Sequence, residues 1–238
     1  MRGNDLNVAP LQIDVVTLFP DMFQGFAGVS MIRRAVRMGA VNIRMVDLRD
    51  FSQDARKTAD DRPYGGGPGM LMKPEPIFEA VEALKTPQTR VVLMAPSGKR
   101  FDQATARRLA RESHLVFLCG HYEGIDERVM DALVTDTLSI GDYVLTNGTL
   151  PAAVVVDSVV RLLPGVLGGG EDATREESFT ENLLEYPQYT RPPEFRGMRV
   201  PEVLQGGDHK EVASWRRAQS LRLTARRRPD LLAGGSDK

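Results

Sequence analysis

Four short runs rich in β-branched residues mark the first half of this chain: "IDVVTLF" (13–19), "VNIRMVDL" (41–48), "RVVLMAP" (90–96) and "HLVFLCG" (114–120). Segments of helical period separate them. Parallel strands are joined only through long crossovers, so this alternation predicts an α/β fold with a mostly parallel sheet. Two crossover helices are legible. "SMIRRAVRMG" offers Ser30 as N-cap, arginines on an outer face and Gly39 as the stop, and "DQATARRLARES" repeats small and apolar residues at helical spacing. At 238 residues the chain buries a sizeable core without a disulfide or metal staple.

Composition narrows the function classes. With 42% hydrophobic and 26% charged residues and a net charge of −1, the chain is neither disordered nor globally basic, so a nucleic-acid footprint has to be local. Cys119 is the only cysteine and sits in an apolar run, which reads as a small buried hydrophobe in a reducing compartment. The N-terminus "MRGNDLNVAP" lacks a signal-peptide core, and the long apolar stretch "LPAAVVVDSVVRLL" is broken by Asp157 and Arg161. A cytoplasmic protein without membrane contact is expected. His114, His121 and His209 show no zinc-ligand spacing with each other or with Cys119, so no metal residues are assigned.

Around residues 165–180 the text changes to "PGVLGGGEDATREESF", glycines and then charges without apolar period. This predicts a domain over 1–168, a flexible interdomain linker over 169–182 and a smaller helical domain over 183–238. In the last, Asp208 and Glu211 fit a capping box, and Val212, Trp215 and Leu223 supply an inner face. Residues 210–228 hold seven basic side chains (Lys210, Arg216, Arg217, Arg222, Arg226, Arg227 and Arg228) against Glu211 alone. Such a helix suits phosphate backbones, with an ordinary solvated face as the plain alternative.

Four further stretches carry more than scaffolding. "DDRPYGGGPGM" (60–70) has four glycines and two prolines, as a tight loop or a binding loop would. It does not match the dinucleotide fingerprint, and no P-loop occurs in the chain, which argues against a nucleotide-binding oxidoreductase. "APSGKR" (95–100), "CGHYEGIDER" (119–128) and "LSIGDYVLTNGTLP" (138–151) each follow the carboxyl end of a strand, where ligands of open α/β sheets collect. They predict one cleft, with glycine backbone for a flat heterocycle and Tyr122 and Tyr143 as walls. Glu123 would meet a cation or a ribose. Glu123 and Asp126 also have a plainer reading, as carboxylates at the N-terminus of the helix that follows. Asp157 and Arg161, spaced i, i+4 on an apolar helix, read as an ion pair, with Arg161 a candidate anion or carbonyl stabiliser.

In this order, "DDRPYGGGPGMLM", "CGHYEGIDERV", "SIGDYVL", "LLPGVLG" and "LLEYPQYTRP" closely resemble the bacterial tRNA (guanine-N1)-methyltransferases, the TrmD family of the SPOUT class, over nearly the whole chain. The resemblance implies an α/β domain tied in a deep trefoil knot, a small C-terminal helical domain and a homodimer with its active site at the subunit interface. It implies S-adenosylmethionine as methyl donor, held by Pro96, then Gly120, Tyr122, Glu123 and Gly124, then Ile140, Gly141, Tyr143, Leu145 and Gly148. Glu177, in "REESF", stands where the family carries an aspartate base, and Arg161 falls on the family's oxygen-stabilising arginine. Glu185, Asp61, Tyr64, Arg216 and Arg217 are expected on the tRNA or partner-subunit side. The implied reaction is methylation of guanine N1 at position 37 of tRNA, with Mg²⁺ as an accessory ion without assigned ligands. The alternatives are a non-catalytic RNA-binding relative of the same fold, or a SPOUT methyltransferase of another RNA site.

Overall fold

Strand β1 (Leu11–Thr17) is almost wholly buried. It is followed by α1 (Pro20–Ala27) and α2 (Ser30–Arg37), then β2 (Val41–Asp47). A short antiparallel pair, β3 (Asp60–Asp61) and β4 (Leu71–Met72), closes the glycine-rich stretch as a hairpin. Next come α3 (Pro74–Leu84), β5 (Thr89–Arg100), α4 (Gln103–Leu109), β6 (His114–Cys119), α5 (Glu127–Leu133), β7 (Asp136–Ser139) and α6 (Thr149–Val160). These elements belong to a compact unit over Met1–Gly168, and a second unit spans Gly169–Lys238. This computed structural model describes residues 9–168 and 176–233; residues 169–175 of the expected linker lie outside that range.

The five main strands pair in the order β2-β1-β6-β5-β7, parallel throughout, as the strand and helix alternation predicts. Central β6 is buried at all six positions, because helices cover both faces of the sheet. Alternation along the strands divides the core in two. Ile13, Val15, Leu115, Phe117 and Val92 point into a layer with Phe23 of α1, Ile32 of α2, Leu109 of α4 and the valines of α6. Val16, Val116, Leu118 and Leu93 point the other way, against Ile77 and Val81 of α3 and Val129 of α5. The result is a three-layer α/β/α sandwich.

One polar network crosses the sheet. Asp14 on β1, with no exposed surface, takes a bidentate pair from Arg44 on β2 (2.7 and 3.0 Å) and lies 2.8 Å from His114 Nε2 on β6. The His114 Nδ1 in turn lies 2.7 Å from the Thr89 hydroxyl on β5. Burial raises the Asp14 pKa, but the hydrogen bonds from Arg44 and His114 outweigh it and hold the carboxyl below its ordinary value.

Local signals held with small shifts. Gly39 takes φ 76° and ends α2 in a Schellman motif, its N–H bonding the Val36 carbonyl and that of Ala40 the Ala35 carbonyl. Ser30 does not act as the N-cap: α2 begins on it behind Val29, without a side-chain cap, and Ser30 itself has φ 50°. Strand β5 continues to Arg100, past the expected end at 96. Both Met94 and Lys99 pair with Leu138 of β7, so residues 95–98 bulge out between them.

The second unit is built on α7 (His209–Arg227), whose Asp208 N-cap accepts bonds from the amides of Lys210 and Glu211. A two-residue pair, β8 (Glu194–Phe195) and β9 (Met198–Arg199), precedes it. Val212, Trp215 and Leu223 are half-buried, and the buried positions of α7 are Ser220 and Thr224. The Thr224 hydroxyl accepts the Leu184 amide (2.9 Å) and donates to the Ser220 carbonyl (2.7 Å), tying residues 183–184 to the helix.

Candidate active site

Three loops leave the carboxyl ends of β5, β6 and β7 side by side. The first is the bulge at 95–98. Gly98 closes it, since a Cβ there would stand 2.5 Å from the Leu138 amide nitrogen, which a larger residue could not do without parting β5 from β7. The second, 120–126, is stitched to the third, 140–148. Gly148 donates its amide to the Gly120 carbonyl (2.8 Å), and His121 and Asn147 form an antiparallel bridge. Tyr122 holds φ 57° and Gly124 φ 136°, the turn that lets this loop double back.

The glycine-rich hairpin braces the second loop from outside. Glu123 N–H bonds the Met70 carbonyl (3.0 Å), Met72 N–H the Gly124 carbonyl (2.9 Å) and Asp126 N–H the Met72 carbonyl (3.1 Å). Gly69 lies so close to the Glu123 side chain that a Cβ would fall 2.3 Å from its Oε1. The stretch that read as a tight loop or a binding loop thus supports a loop of the site. Asp61 and Tyr64, both exposed on it, are not among the residues that line the cavity enclosed by the three loops.

The loops enclose a cavity of about 440 Å³. Its walls include Pro96 of the first loop, Gly120, Tyr122, Glu123 and Gly124 of the second, and Ile140, Gly141, Tyr143, Leu145 and Gly148 of the third. All ten residues that the family resemblance implies for the methyl donor therefore meet in one place. Sequence reading missed the apolar lining residues Leu93, Met94 and Leu138, which lie on β5 just before its bulge and near the end of β7. It also missed His121 as a lining residue. Its ring stands edge-on to Phe19 and Tyr122 (centroids 5.0 and 4.4 Å), and its buried Nδ1 has no hydrogen-bond partner among the described residues.

The electrostatics of the walls are selective. Glu123 is the single carboxylate of the lining, which contains no lysine or arginine. A phosphate would find no counter-charge there, whereas a cationic ligand with a flat polar ring would. Burial and the Asp60 carboxylate raise the Tyr122 pKa, so its phenol stays protonated at neutral pH. Asp126 does what its plainer reading foretold: it caps α5, accepting the Arg128 amide at 3.0 Å. Cys119, the last residue of β6, is buried and its thiol is pushed up to about 12 by burial, the structural rather than reactive form.

The remaining predicted residues lie elsewhere. Arg161 is the C-cap of α6, half-buried, and what joins it to Asp157 in the backbone is its N–H bonded to the Asp157 carbonyl (3.1 Å). In the second unit, Glu177, Arg216 and Arg217 line a cavity of about 250 Å³ with Leu184 and Tyr186. Arg216 stacks over the Tyr186 ring (4.7 Å) and pairs with Glu176 (3.6 Å), which also accepts the Tyr186 hydroxyl (3.0 Å). Arg217 pairs with Glu181 at 2.6 Å. Glu185 is half-buried, its amide bonded to Ser178 Oγ (3.0 Å) and its carboxylate to the Gln188 amide. No group of three or more His, Cys, Asp or Glu that could hold a metal occurs among the described residues.

The family model described as tRNA (Guanine-1)-methyltransferase TrmD matches residues 11–234. The chain belongs to the TrmD family. A relative from Geobacillus kaustophilus, named tRNA (guanine-N(1)-)-methyltransferase, is 55% identical over 224 residues, 93% of this chain and 91% of its own. Relatives of the same name from Moorella thermoacetica (55% over 227 residues, 94% and 90%) and Bacillus cereus strain B4264 (56% over 226 residues, 93% and 92%) match as extensively. The TrmD match spans both units, and no described helix of this chain is long and apolar enough to cross a membrane.

Proposed function

We propose that this TrmD-family chain methylates N1 of guanine 37 of tRNA, next to the anticodon on its 3′ side, with S-adenosylmethionine as donor. The observation that carries the reading is the three-loop cavity, with ten suggested residues in its walls, one carboxylate and no basic side chain. The donor fits it on three counts. Glycines bring backbone close where a Cβ at 148 would collide with Cys119 and Gly120. The buried, unpartnered Nδ1 of His121 awaits a polar guest, and Glu123 complements a positive charge. When bound, S-adenosylmethionine supplies an electrophilic methyl on a sulfonium.

Guanine N1 carries a proton at neutral pH, so the ring must lose it as the N–C bond forms and the methyl–sulfur bond breaks to leave S-adenosylhomocysteine, and negative charge grows on O6. In this reading Glu177 accepts the N1 proton and Arg161 faces O6, the pairing of base and cation that such a transfer needs. Pro96 and the glycines of the second and third loops hold the donor through backbone, with Tyr122 and Tyr143 beside its rings. Residues 1–168 form the knotted donor-binding domain, 169–182 the linker and 183–238 the tRNA-binding domain. In a homodimer, one protomer's cavity works with its partner's linker and helical domain, which bring Glu177, Glu185 and the basic α7, while Asp61 and Tyr64 serve the substrate side. The target base leaves its stack to reach the methyl. Mg²⁺ acts as an accessory ion.

Purified protein with labelled S-adenosylmethionine and an unmodified tRNA carrying guanines at positions 36 and 37 tests this. Label on N1 of guanine 37 by mass spectrometry, and none when guanine 37 is replaced by adenine, is expected. Transfer to another atom would point to a SPOUT enzyme of another site. No transfer, with tRNA bound, would point to a non-catalytic RNA-binding protein.

A further inference from the structure

Helix α2 concentrates charge that the TrmD reading leaves unused. Arg33, Arg34 and Arg37 are all exposed, the first turn of the helix has no acid, and the three line an open cleft of about 350 Å³ with Ser30 and Met38. Most arginines of the first unit that lie near acids are matched: Arg44 with Asp14, Arg90 and Arg108 with Asp136, Arg128 with Asp126. None of the α2 arginines has an ion pair among the described residues. Arg37 stands at i, i+3 from Arg34 and i, i+4 from Arg33, where like charges repel across the helix face. The helix dipole favours Arg34 and Arg37 in the last turn, but not Arg33, and the chain as a whole has a net charge of −1. Local crowding of like charge around an open cleft is what a polyanion surface requires.

We propose that Arg33, Arg34 and Arg37 form a second phosphate-binding surface for RNA, on the donor-binding unit and in addition to α7. The proposal rests on the tRNA reading above. The surface adjoins the turns that follow α6: a Cβ at Gly165 would lie 3.0 Å from the Met38 methyl, and one at Gly168 would lie 3.8 Å from Arg34 Nη1. Helix α6 begins at the cavity, beside Gly148, and its 12 residues span about 18 Å. None of the three arginines is among the residues that line the donor cavity, so the cluster acts on binding rather than on the transfer itself. Val29, Val36 and Met38 are exposed beside it, which makes a second copy of the chain the competing occupant. A symmetric contact of this patch with itself would oppose arginines to arginines, so the charge favours RNA.

The full-length protein and its Arg33→Gln/Arg37→Gln variant, compared in tRNA binding across a salt series, test the proposal. The variant should bind tRNA about tenfold more weakly at low salt. Its plot of log affinity against log salt should be shallower by about 1.4–1.8, at roughly 0.7–0.9 per lost phosphate contact. Calorimetry should show S-adenosylmethionine binding retained, which excludes misfolding, and Arg33→Lys/Arg37→Lys should restore the salt slope. Unchanged affinity and slope, in a protein whose wild type methylates tRNA, overturn this surface and leave the function intact. An altered sedimentation coefficient with an unchanged slope overturns it in favour of a copy–copy interface. A wild type that neither binds nor methylates tRNA removes the functional reading, and this surface with it.

Discussion

A Cβ built on Gly148 would stand 2.9 Å from the Cα of Cys119 and 2.9 Å from the amide nitrogen of Gly120. Both obstacles are backbone at the carboxyl end of the central strand, where neither rotamer change nor a small hinge relieves the clash. Gly148→Ala should therefore push the third loop off the second and lower S-adenosylmethionine affinity at least tenfold by calorimetry. Gly25→Ala, in helix α1 with open space around its position, is the control. It should leave donor binding alone and raise stability by about 0.5–1 kcal/mol.

Glu177→Gln keeps the shape of the proposed base and removes its proton affinity. Turnover of tRNA should fall by a factor of about 10²–10⁴, with donor affinity unchanged. Arg161→Ala should cost about 10²–10³ in turnover, the range for a lost oxyanion donor. Single-turnover kinetics with saturating tRNA separates these losses from weaker binding, and normal kinetics in Glu177→Gln would assign the base elsewhere.

Asp14 ties three strands together away from the cavity, through Arg44 and His114. Its folded pKa lies below the unfolded value of about 3.9, so its contribution is complete above that pH and is lost as pH falls through the folded value. Asp14→Asn should lower neutral-pH stability by about 1–3 kcal/mol, because it removes charge-assisted hydrogen bonds from the exposed Arg44 and the buried His114. Below about pH 4 the wild type should converge on the variant in chemical denaturation.

Cys119 reports on the integrity of the sheet. With its thiol pushed up to about 12 by burial, it should resist alkylation at pH 8 in the native protein and label fully in denaturant. Labelling at a rate independent of added S-adenosylmethionine and of stabilising solutes would mean that β6 is open to solvent in the folded state.

On α7, Arg216 and Arg217 already hold Glu176 and Glu181, whereas Arg222, Arg226 and Arg227 are exposed with no ion pair among the described residues. Arg222→Gln/Arg226→Gln should reduce the salt slope of tRNA binding by about 1.4–1.8. Arg216→Gln/Arg217→Gln should reduce it less, because phosphate contacts there must first displace carboxylates. Filter binding at four or more salt concentrations distinguishes the two pairs.

The layout of the site was legible because it depends on local signals. Strand ends, the glycines after them and their order along the chain pointed to three loops, and all three line the cavity. Ser30 shows the limit of such reading: it is a good capping residue by type, but its backbone took φ 50° and no side-chain cap formed. The bulge at 95–98 was also unreadable, since it comes from Leu138 pairing with both Met94 and Lys99, a registration between strands about forty residues apart.

Sequence alone determined the α/β class, the crossover helices, the cap at Asp208, the burial of Cys119 and the address of the cavity, since periodicity, capping chemistry and glycine placement act over a few residues. Only the tertiary structure decided the strand order, the Asp14 network, the brace that the glycine hairpin gives the second loop, and which arginines stand unmatched. Those depend on which distant side chains become neighbours, and a residue's type carries no record of the partner it will meet.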